Sequence, residues 1–202
     1  KELKNLNIPL IFFDRAPNFD DTQQIINDDR AGAFKAVTHL IEMGYRRIAH
    51  FAGPSHLKLY KERKQGYLDA LKKHQIKLDK KLIIEPCLKL EEGKAAIQQL
   101  MNMTKRPDAL FSASDYSALG ALLFLKEKAV HIPKEFGVVG YSNENFTALI
   151  SPALTTVDQH AIELGRLSAK SCLDILNNNK NTKAKSIVLD PQLIIRASSQ
   201  RK

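Results

Sequence analysis

Short apolar runs alternate with segments of helical periodicity along most of the chain. The runs consist of consecutive hydrophobic residues, a pattern typical of strands that are buried on both faces of a sheet. They predict strands at residues 8–13, 47–52, 82–84, 109–113, 138–141 and 155–157. Residues 187–189 and 193–195 form two later runs, and Pro191 between them predicts two separate strands because proline cannot donate to a sheet.

The segments between these runs carry apolar residues at helical spacing. The first predicted helix has apolar positions i, i+3, i+4, i+7 and i+8 at Ala33, Ala36, Val37, Leu40 and Ile41. Asp28 or Asp29 can cap its start, and Gly44 lies where a left-handed residue ends a helix. Further helices are predicted around residues 67–71, 96–101, 119–125 and 162–176.

This alternation predicts an α/β fold with a parallel, doubly wound sheet that is covered on both faces. Such sheets bind ligands at the carboxyl ends of their strands. Nearly every predicted strand leads into hydrogen-bonding residues: Asp14 and Arg15, Ser55 and His56, Ser114 and Asp115, Ser142 and Asn143, and Asp158 and Gln159. Any single one of these exits fits an ordinary polar loop, but five together indicate a site for a polar, polyhydroxylated ligand.

Composition and charge change this picture little. Hydrophobic residues make up 44% of the chain and charged residues 26%, as in ordinary globular proteins. The net charge of +9 allows a nucleic-acid partner, but the lysines are dispersed among acidic residues and indicate a solvated surface. No apolar run is long enough for a membrane span, so we expect no membrane partner. The basic, then apolar start does not fit a signal peptide, because Asp14 and Arg15 follow without a cleavage site.

Local catalytic and metal-binding motifs are absent from the sequence. Cys87 and Cys172 are isolated, which indicates neither a zinc site nor a disulfide and fits a reducing cytoplasm. The chain contains no GxGxxG, phosphate loop, GxSxG or HExxH. We therefore expect no catalytic residue, metal or cofactor and predict a binding protein rather than an enzyme. An α/β enzyme that assembles its catalytic groups in space, such as a sugar-modifying transferase, stays an alternative.

Several segments, in order and with natural spacing, resemble the lactose-repressor (LacI/GalR) family of bacterial transcription regulators. These are "IINDDRAGAFKAVTHLIEMGYRRIAHFAGP", "ERKQGYLDAL", "RPDALFSASDYSALGALLFLKE", "IPKEFGVVGYSNENF" and "PALTTVDQHAIELG". The resemblance implies a periplasmic binding protein-like core with two subdomains joined by three crossing strands. It places residues 1–46 and 160–190 in an N-terminal subdomain and residues 47–159 and 191–202 in a C-terminal one. The N-terminal subdomain is expected to be incomplete.

The resemblance also implies a function. We expect a cytoplasmic repressor domain that binds a small effector, a sugar or sugar derivative, between the subdomains and so controls operator binding. Operator DNA would be contacted only by a helix-turn-helix domain absent from this chain, and the protein would form a homodimer. A periplasmic sugar receptor of a transport or sensing system has the same fold and is the alternative.

The resemblance assigns effector contacts to eight positions: Asp14, Arg15, Arg63, Leu88, Asp115, Ser142, Asn143 and Gln159. Arg63 is the leading candidate because a guanidinium forms two-pronged hydrogen bonds with hydroxyls or a carboxylate. We expect it to be exposed, so that Arg63→Ala abolishes binding and leaves the fold intact. Leu88 replaces an aromatic residue of some members, which argues against a flat purine.

Two of these positions leave alternatives open. Asp115 matches the acidic residue of the family's Asn-Asp pair, but it can equally be the N-cap of the following helix. Ser142 stands where the family usually has an aspartate. Either Asn143 takes over part of the aspartate's role, or the effector is an anion that an aspartate would repel.

Overall fold

The computed structural model describes residues 10–15, 22–177 and 186–201, in two compact units. The smaller unit is formed by residues 1–28 and 160–190, and the larger by residues 29–159 and 191–202. The chain therefore passes between the units three times. Residues 8 and 9 of the first predicted strand and most of the predicted loop at 177–185 lie outside the described residues.

The larger unit contains a six-stranded sheet. Its strands, in chain order, are β3 (Ile48–Phe51), β4 (Ile83–Ile84), β5 (Ala109–Ser112), β6 (Gly137–Tyr141), β7 (Thr155–Asp158) and β9 (Gln192–Ile194). The spatial order is β4-β3-β5-β6-β7-β9, and all neighbours are parallel except β7 and β9. This arrangement confirms the predicted α/β fold with a doubly wound, mainly parallel sheet.

Helices cover both faces of this sheet, and for this reason β3, β5 and β6 are buried along their whole length. The helices are α1 (Asp29–Glu42), α2 (Lys58–Lys73), α3 (Leu90–Met101) and α4 (Asp115–Glu127). One face packs Ile48, Phe111 and Val139 against α1 and α2. Residues one position along the strands, such as Ala49 and Leu110, point to the opposite face and pack against α3 and α4.

Local signals at the helix ends agree with the sequence. Helix α1 ends at Glu42, and Gly44 follows with a φ of 92°, a left-handed conformation that glycine adopts without strain. The amide of Gly44 donates to the carbonyl of Ile41, and that of Tyr45 donates to Leu40. Helix α4 begins after Ser114, whose hydroxyl accepts a hydrogen bond from the amide of Tyr116.

The smaller unit contains a parallel sheet in the order β1-β2-β8, formed by β1 (Ile11–Phe13), β2 (Gln23–Asn27) and β8 (Ser186–Leu189). The sequence analysis missed β2, because "QQIIN" has only two apolar residues and no alternation. Helix α5 (Ala161–Asn177) belongs to this unit. Its helical period was predicted, but of its described side chains only Leu164 is buried, and Ile162 is 91% exposed.

Pro191 separates two strands that belong to different sheets. Strand β8 pairs with β2 in the smaller unit, and β9 pairs with β7 in the larger one. The predicted break is thus confirmed. The sequence-based subdomain boundary after residue 46 differs from the structure at α1, which packs against α2 and therefore belongs to the larger unit.

Candidate functional site

The carboxyl edge of the six-stranded sheet brings together most of the polar residues that the sequence analysis selected. Strands β3, β5, β6 and β7 are parallel neighbours, so their carboxyl ends lie side by side. Ala113 follows β5, Ser142 follows β6 and Gln159 follows β7. Arg63 reaches this edge from α2 and contacts residues at the carboxyl ends of three strands, β5, β6 and β7.

The guanidinium of Arg63 has a partner in several directions. Its Nε donates to Oδ1 of Asp29 at 2.7 Å, Nη1 donates to the carbonyl of Ala113 at 2.9 Å, and Nη2 donates to Oε1 of Gln159 at 3.3 Å. Its central carbon lies 3.7 Å from the centre of the Tyr141 ring, a cation–π distance. Burial opposes the charge, but Asp29 and the two nearby tyrosines together raise the pKa of Arg63, so it stays protonated.

The expectation that Arg63 is exposed is wrong. The residue is 3% exposed, and the Asp29 side chain that pairs with it is 10% exposed. A buried ion pair is strongly destabilised when one partner is removed, because the other charge is left without compensation. Arg63→Ala is therefore expected to disturb the fold as well as any ligand contact.

Asp115 is buried at the start of α4 and binds the segment that follows β6. Its carboxylate accepts hydrogen bonds from the Thr156 hydroxyl at 2.7 Å and from the amide of Glu144 at 2.9 Å. Burial raises the pKa of the Asp115 carboxyl to about 6. Gly140 leaves the space that this carboxylate occupies, since a Cβ at that position would overlap Oδ1. The helix cap is Ser114, so the N-cap alternative for Asp115 is wrong.

Ser142 and Asn143 form a tight turn directly after β6. Both have a positive φ, 123° for Ser142 and 55° for Asn143, which non-glycine residues rarely adopt. The backbone amide of Ser142 donates to the carbonyl of Val157, and the amide of Asn143 donates to the Thr156 hydroxyl. Ser142 itself is partly exposed.

The side chain of Asn143 is occupied by protein partners. Its Oδ1 accepts from Nη2 of Arg196 at 2.9 Å, and its Nδ2 donates to Oδ2 of Asp158 at 3.2 Å. Arg196 also donates to the carbonyl of Leu154 and to the Thr147 hydroxyl. Asn143 therefore fixes the turn, and one lone pair of Oδ1 and one N–H of Nδ2 are not used by these two bonds.

Leu88 adds an apolar surface to the same unit. It packs with Leu57 against a small cluster formed by Leu59, Tyr60 and Ala113. Tyr60 also lies 5.4 Å from the guanidinium carbon of Arg63, so this cluster borders the buried ion pair.

Asp14 and Arg15 belong to the smaller unit. The amide of Asp14 donates to the carbonyl of Ile25, and its φ is 57°. The charged groups of Asp14 and Arg15 are 3.9 Å apart, and both side chains are exposed, which makes the pair weak. Within the larger unit, Arg63 and Gln159 are in direct contact, and Asp115 and Asn143 both bind Thr156.

The sequence analysis missed three residues that organise this edge: Asp29, Tyr141 and Arg196. Asp29 was considered only as a helix cap, and Tyr141 only as a strand residue. Arg196 follows β9 and is distant in sequence from its partners. Nothing in the local sequence signals these roles, because each depends on pairing between elements that lie far apart along the chain.

The described part of the chain contains neither a metal-binding cluster nor a membrane-spanning helix. There, no group of three or more His, Cys, Asp or Glu side chains could hold a metal ion. None of the described helices has the length and apolar character that a membrane span requires.

Comparisons with known proteins identify the family. Residues 37–199 match the family described as periplasmic binding protein-like domain. The chain is 35% identical over 173 residues to the HTH-type transcriptional repressor CytR of Escherichia coli K12, a match that covers 86% of this chain and 50% of the relative. It spans about half the length of the curated relatives it matches.

Solved structures give the same result. A regulatory protein of LacI family from Chloroflexus aggregans has a TM-score of 0.90 at 30% identity, covering 98% of this chain and 71% of that chain. A LacI family transcriptional regulator from Enterococcus faecium, solved with bound ribose, has a TM-score of 0.88 at 27% identity, covering 98% and 73%. The chain therefore belongs to the LacI family of transcriptional regulators, in which it corresponds to the periplasmic binding protein-like domain.

Proposed function

We propose that this chain is the effector-binding domain of a LacI-type repressor and that it binds a sugar or sugar derivative. The observation that carries this proposal is the set of hydrogen-bonding groups at the carboxyl edge of the larger sheet, where parallel α/β sheets bind ligands. The family supports it, and so does the ribose found in the Enterococcus faecium relative.

The chemistry of the edge suits hydroxyl groups. Because Oε1 of Gln159 accepts from Arg63, its amide nitrogen is the part that can donate to a ligand. Arg63 has five N–H groups, and its bonds to Asp29, Ala113 and Gln159 use three of them. The hydroxyl of Ser142 can donate or accept, and Leu88 supplies an apolar surface. A polyol needs this mixture of donors, acceptors and aliphatic contact.

The proposed site comprises the eight residues that the resemblance assigned, with unequal roles. Arg63, Ser142 and Gln159 offer polar contacts, and Leu88 offers an apolar one. Asp115 and Asn143 hold the turn after β6 and act on a ligand through Ser142. Asp14 and Arg15, in the smaller unit, stay predictions. No catalytic residue and no cofactor are proposed.

Repression would require parts beyond this chain. We propose that operator DNA is bound by a helix-turn-helix domain elsewhere in the full protein and that the effector changes operator affinity allosterically in the cytoplasm. The periplasmic-receptor alternative is not favoured, because the relatives reported above are transcriptional regulators.

A homodimer is the assembly we propose for the full protein. Among the large apolar side chains that the larger unit exposes are Tyr116, Leu123 and Leu149, with exposed fractions of 49%, 41% and 84%. Tyr116 and Leu123 lie on α4, and Lys126 of the same helix donates to the carbonyl of Ser151 near Leu149. Leu149→Glu is expected to shift the sedimentation coefficient towards the monomer, and an unchanged dimer would contradict this interface.

A thermal-shift screen of mono- and disaccharides tests the proposed function. A sugar present at about 100 times its Kd adds about 2.7 kcal/mol of stability, which raises the Tm of a chain of this size by roughly 5 to 10 °C. Gln159→Ala should weaken the binding of that sugar by about tenfold through the loss of one hydrogen bond. Gln99→Ala, on the exposed side of α3, is the matched control. Turnover of the sugar, or no shift with any sugar, would contradict the proposal.

A further inference from the structure

The buried ion pair at the carboxyl edge bears on the charge of the effector. We propose that the effector is an uncharged polyol and that Asp29 is the residue that excludes anionic sugars such as sugar phosphates and sugar acids. This inference rests on the proposed function, because it concerns the ligand of the same site. Asp29 lies in the larger unit at the start of α1, and the resemblance assigned it no role.

Asp29 already occupies the partner position that an anionic ligand would need. Its Oδ1 lies 2.7 Å from Nε of Arg63, and both side chains are almost completely buried. A carboxylate in direct contact neutralises the guanidinium where water screens little, so a second anion gains little attraction from Arg63. The N–H groups that remain on Nη1 and Nη2 can still donate to neutral hydroxyls.

The second arginine at this edge of the larger unit already has protein partners. Arg196, the second arginine there, donates to Asn143, Thr147 and the carbonyl of Leu154. The described residues around the turn after β6 include three acidic ones, Asp115, Glu144 and Asp158. Asp115, with its pKa near 6, is mostly ionised at neutral pH. The lysines at the start of α2, Lys58 and Lys61, are exposed, so solvent and salt screen their charges.

This arrangement also accounts for Ser142. An aspartate at position 142 would place one more carboxylate beside Asp115 and Asp158, in a turn whose amides and hydroxyls already serve those groups. With Asp29 balancing Arg63, a neutral hydroxyl at position 142 keeps the edge from becoming more acidic. The serine is therefore compatible with a neutral effector, and the anionic alternative that the sequence left open is disfavoured.

The test compares matched neutral and anionic sugars by isothermal titration calorimetry on the whole chain. Suitable probes are ribose against ribose 5-phosphate and glucose against glucuronate, beside any sugar found in the thermal-shift screen. We expect the wild-type chain to bind the neutral member at least about tenfold more tightly. In Asp29→Asn the preference for the neutral member should fall by about 10-fold to 100-fold, because Arg63 becomes available to the anion.

Two variants serve as controls. Asp69→Asn removes another carboxylate of the larger unit that pairs with an arginine, but this pair is exposed and its loss should leave the preference unchanged. Asp29→Glu keeps the charge and should keep the preference for neutral sugars. Circular dichroism establishes that each variant is folded. If Asp29→Asn does not fold, the preference of the wild-type chain between neutral and anionic sugars is the result that tests the inference.

The outcomes separate the two proposals. A wild-type chain that binds the anionic member more tightly overturns the inference and leaves the proposed sugar-binding function standing. A folded Asp29→Asn whose preference equals that of the wild type overturns the role of Asp29. Absence of binding for every sugar, neutral or anionic, overturns the proposed function, and the inference with it.

Discussion

Replacing Arg63 by methionine tests how the carboxyl edge is held together. Methionine keeps an unbranched stem of similar length beside Tyr141 and Tyr60 but cannot pair with Asp29 or donate to Ala113 and Gln159. The variant therefore leaves a carboxylate in a position where it is 10% exposed and has lost the guanidinium that balanced its charge. We expect a large loss of stability, most of it caused by Asp29.

The size of this stability loss follows from the burial of the Arg63–Asp29 ion pair. Removing one partner of a buried ion pair costs about 3 to 5 kcal/mol, whereas an exposed pair contributes little. For a chain of this size such a loss lowers the Tm by roughly 6 to 20 °C. Adding Asp29→Asn to Arg63→Met removes the uncompensated charge, and the double variant should recover about 1 to 3 kcal/mol relative to Arg63→Met alone.

Thermal and urea denaturation followed by circular dichroism measure these differences. Arg166→Met is the matched control, because Arg166 pairs with Glu163 on the exposed side of α5 and its loss should produce no resolvable change in Tm. The reasoning would be refuted if Arg63→Met were as stable as Arg166→Met. A double variant less stable than Arg63→Met would also contradict the prediction, because the cost would then not come from the buried carboxylate that has lost its guanidinium partner.

Three further predictions concern buried or strained residues. Burial raises the pKa of Asp115 to about 6, above its value in the unfolded chain, so the ionised side chain costs folding stability. This stability is regained as the pH falls from about 6 to about 4. Urea denaturation should show the gain, about 3 kcal/mol, in the wild type and not in Asp115→Asn. The pKa of His50 shifts in the opposite direction, because burial lowers it to about 4. The stability that neutral His50 contributes is therefore present above about pH 6.5 and lost as the pH falls through about 4. His50→Phe should show about 3 kcal/mol less acid destabilisation than the wild type. Ser142→Gly should be about 1 kcal/mol more stable than Ser142→Ala, because glycine relieves the strain of a φ of 123°; equal stabilities in thermal melts would contradict this.

Much of the fold could be predicted because its signals are local. The strands that end at Ser112 and Tyr141 consist mainly of apolar residues because helices cover both faces of the sheet, and the sequence shows this directly. Gly44 marks the end of α1 because a left-handed residue there favours glycine. Pro191 marks the passage from one sheet to the other because proline cannot donate a backbone hydrogen bond to a sheet. Strand β2 lacks such a signal and was missed.

The candidate site was only partly predictable. Its location follows from the rule that strand ends meet at one edge, and Arg63 and Gln159 do meet there. The burial of Arg63 could not be predicted, because it depends on Asp29, 34 positions earlier in the chain. The roles of Asn143 and Arg196 depend on a contact across 53 positions. Local sequence identifies polar strand ends but not which of them bind each other.

The central claim is that a small polyol binds at the carboxyl edge of the larger sheet. Its most direct test is a titration of the isotopically labelled chain, with the sugar found in the thermal-shift screen, followed by backbone amide chemical shifts. We expect saturable changes concentrated at Leu88, Ala113–Asp115, Ser142 and Gln159. Changes confined to the outer surfaces of α3 and α4, or none at saturating sugar, would contradict it.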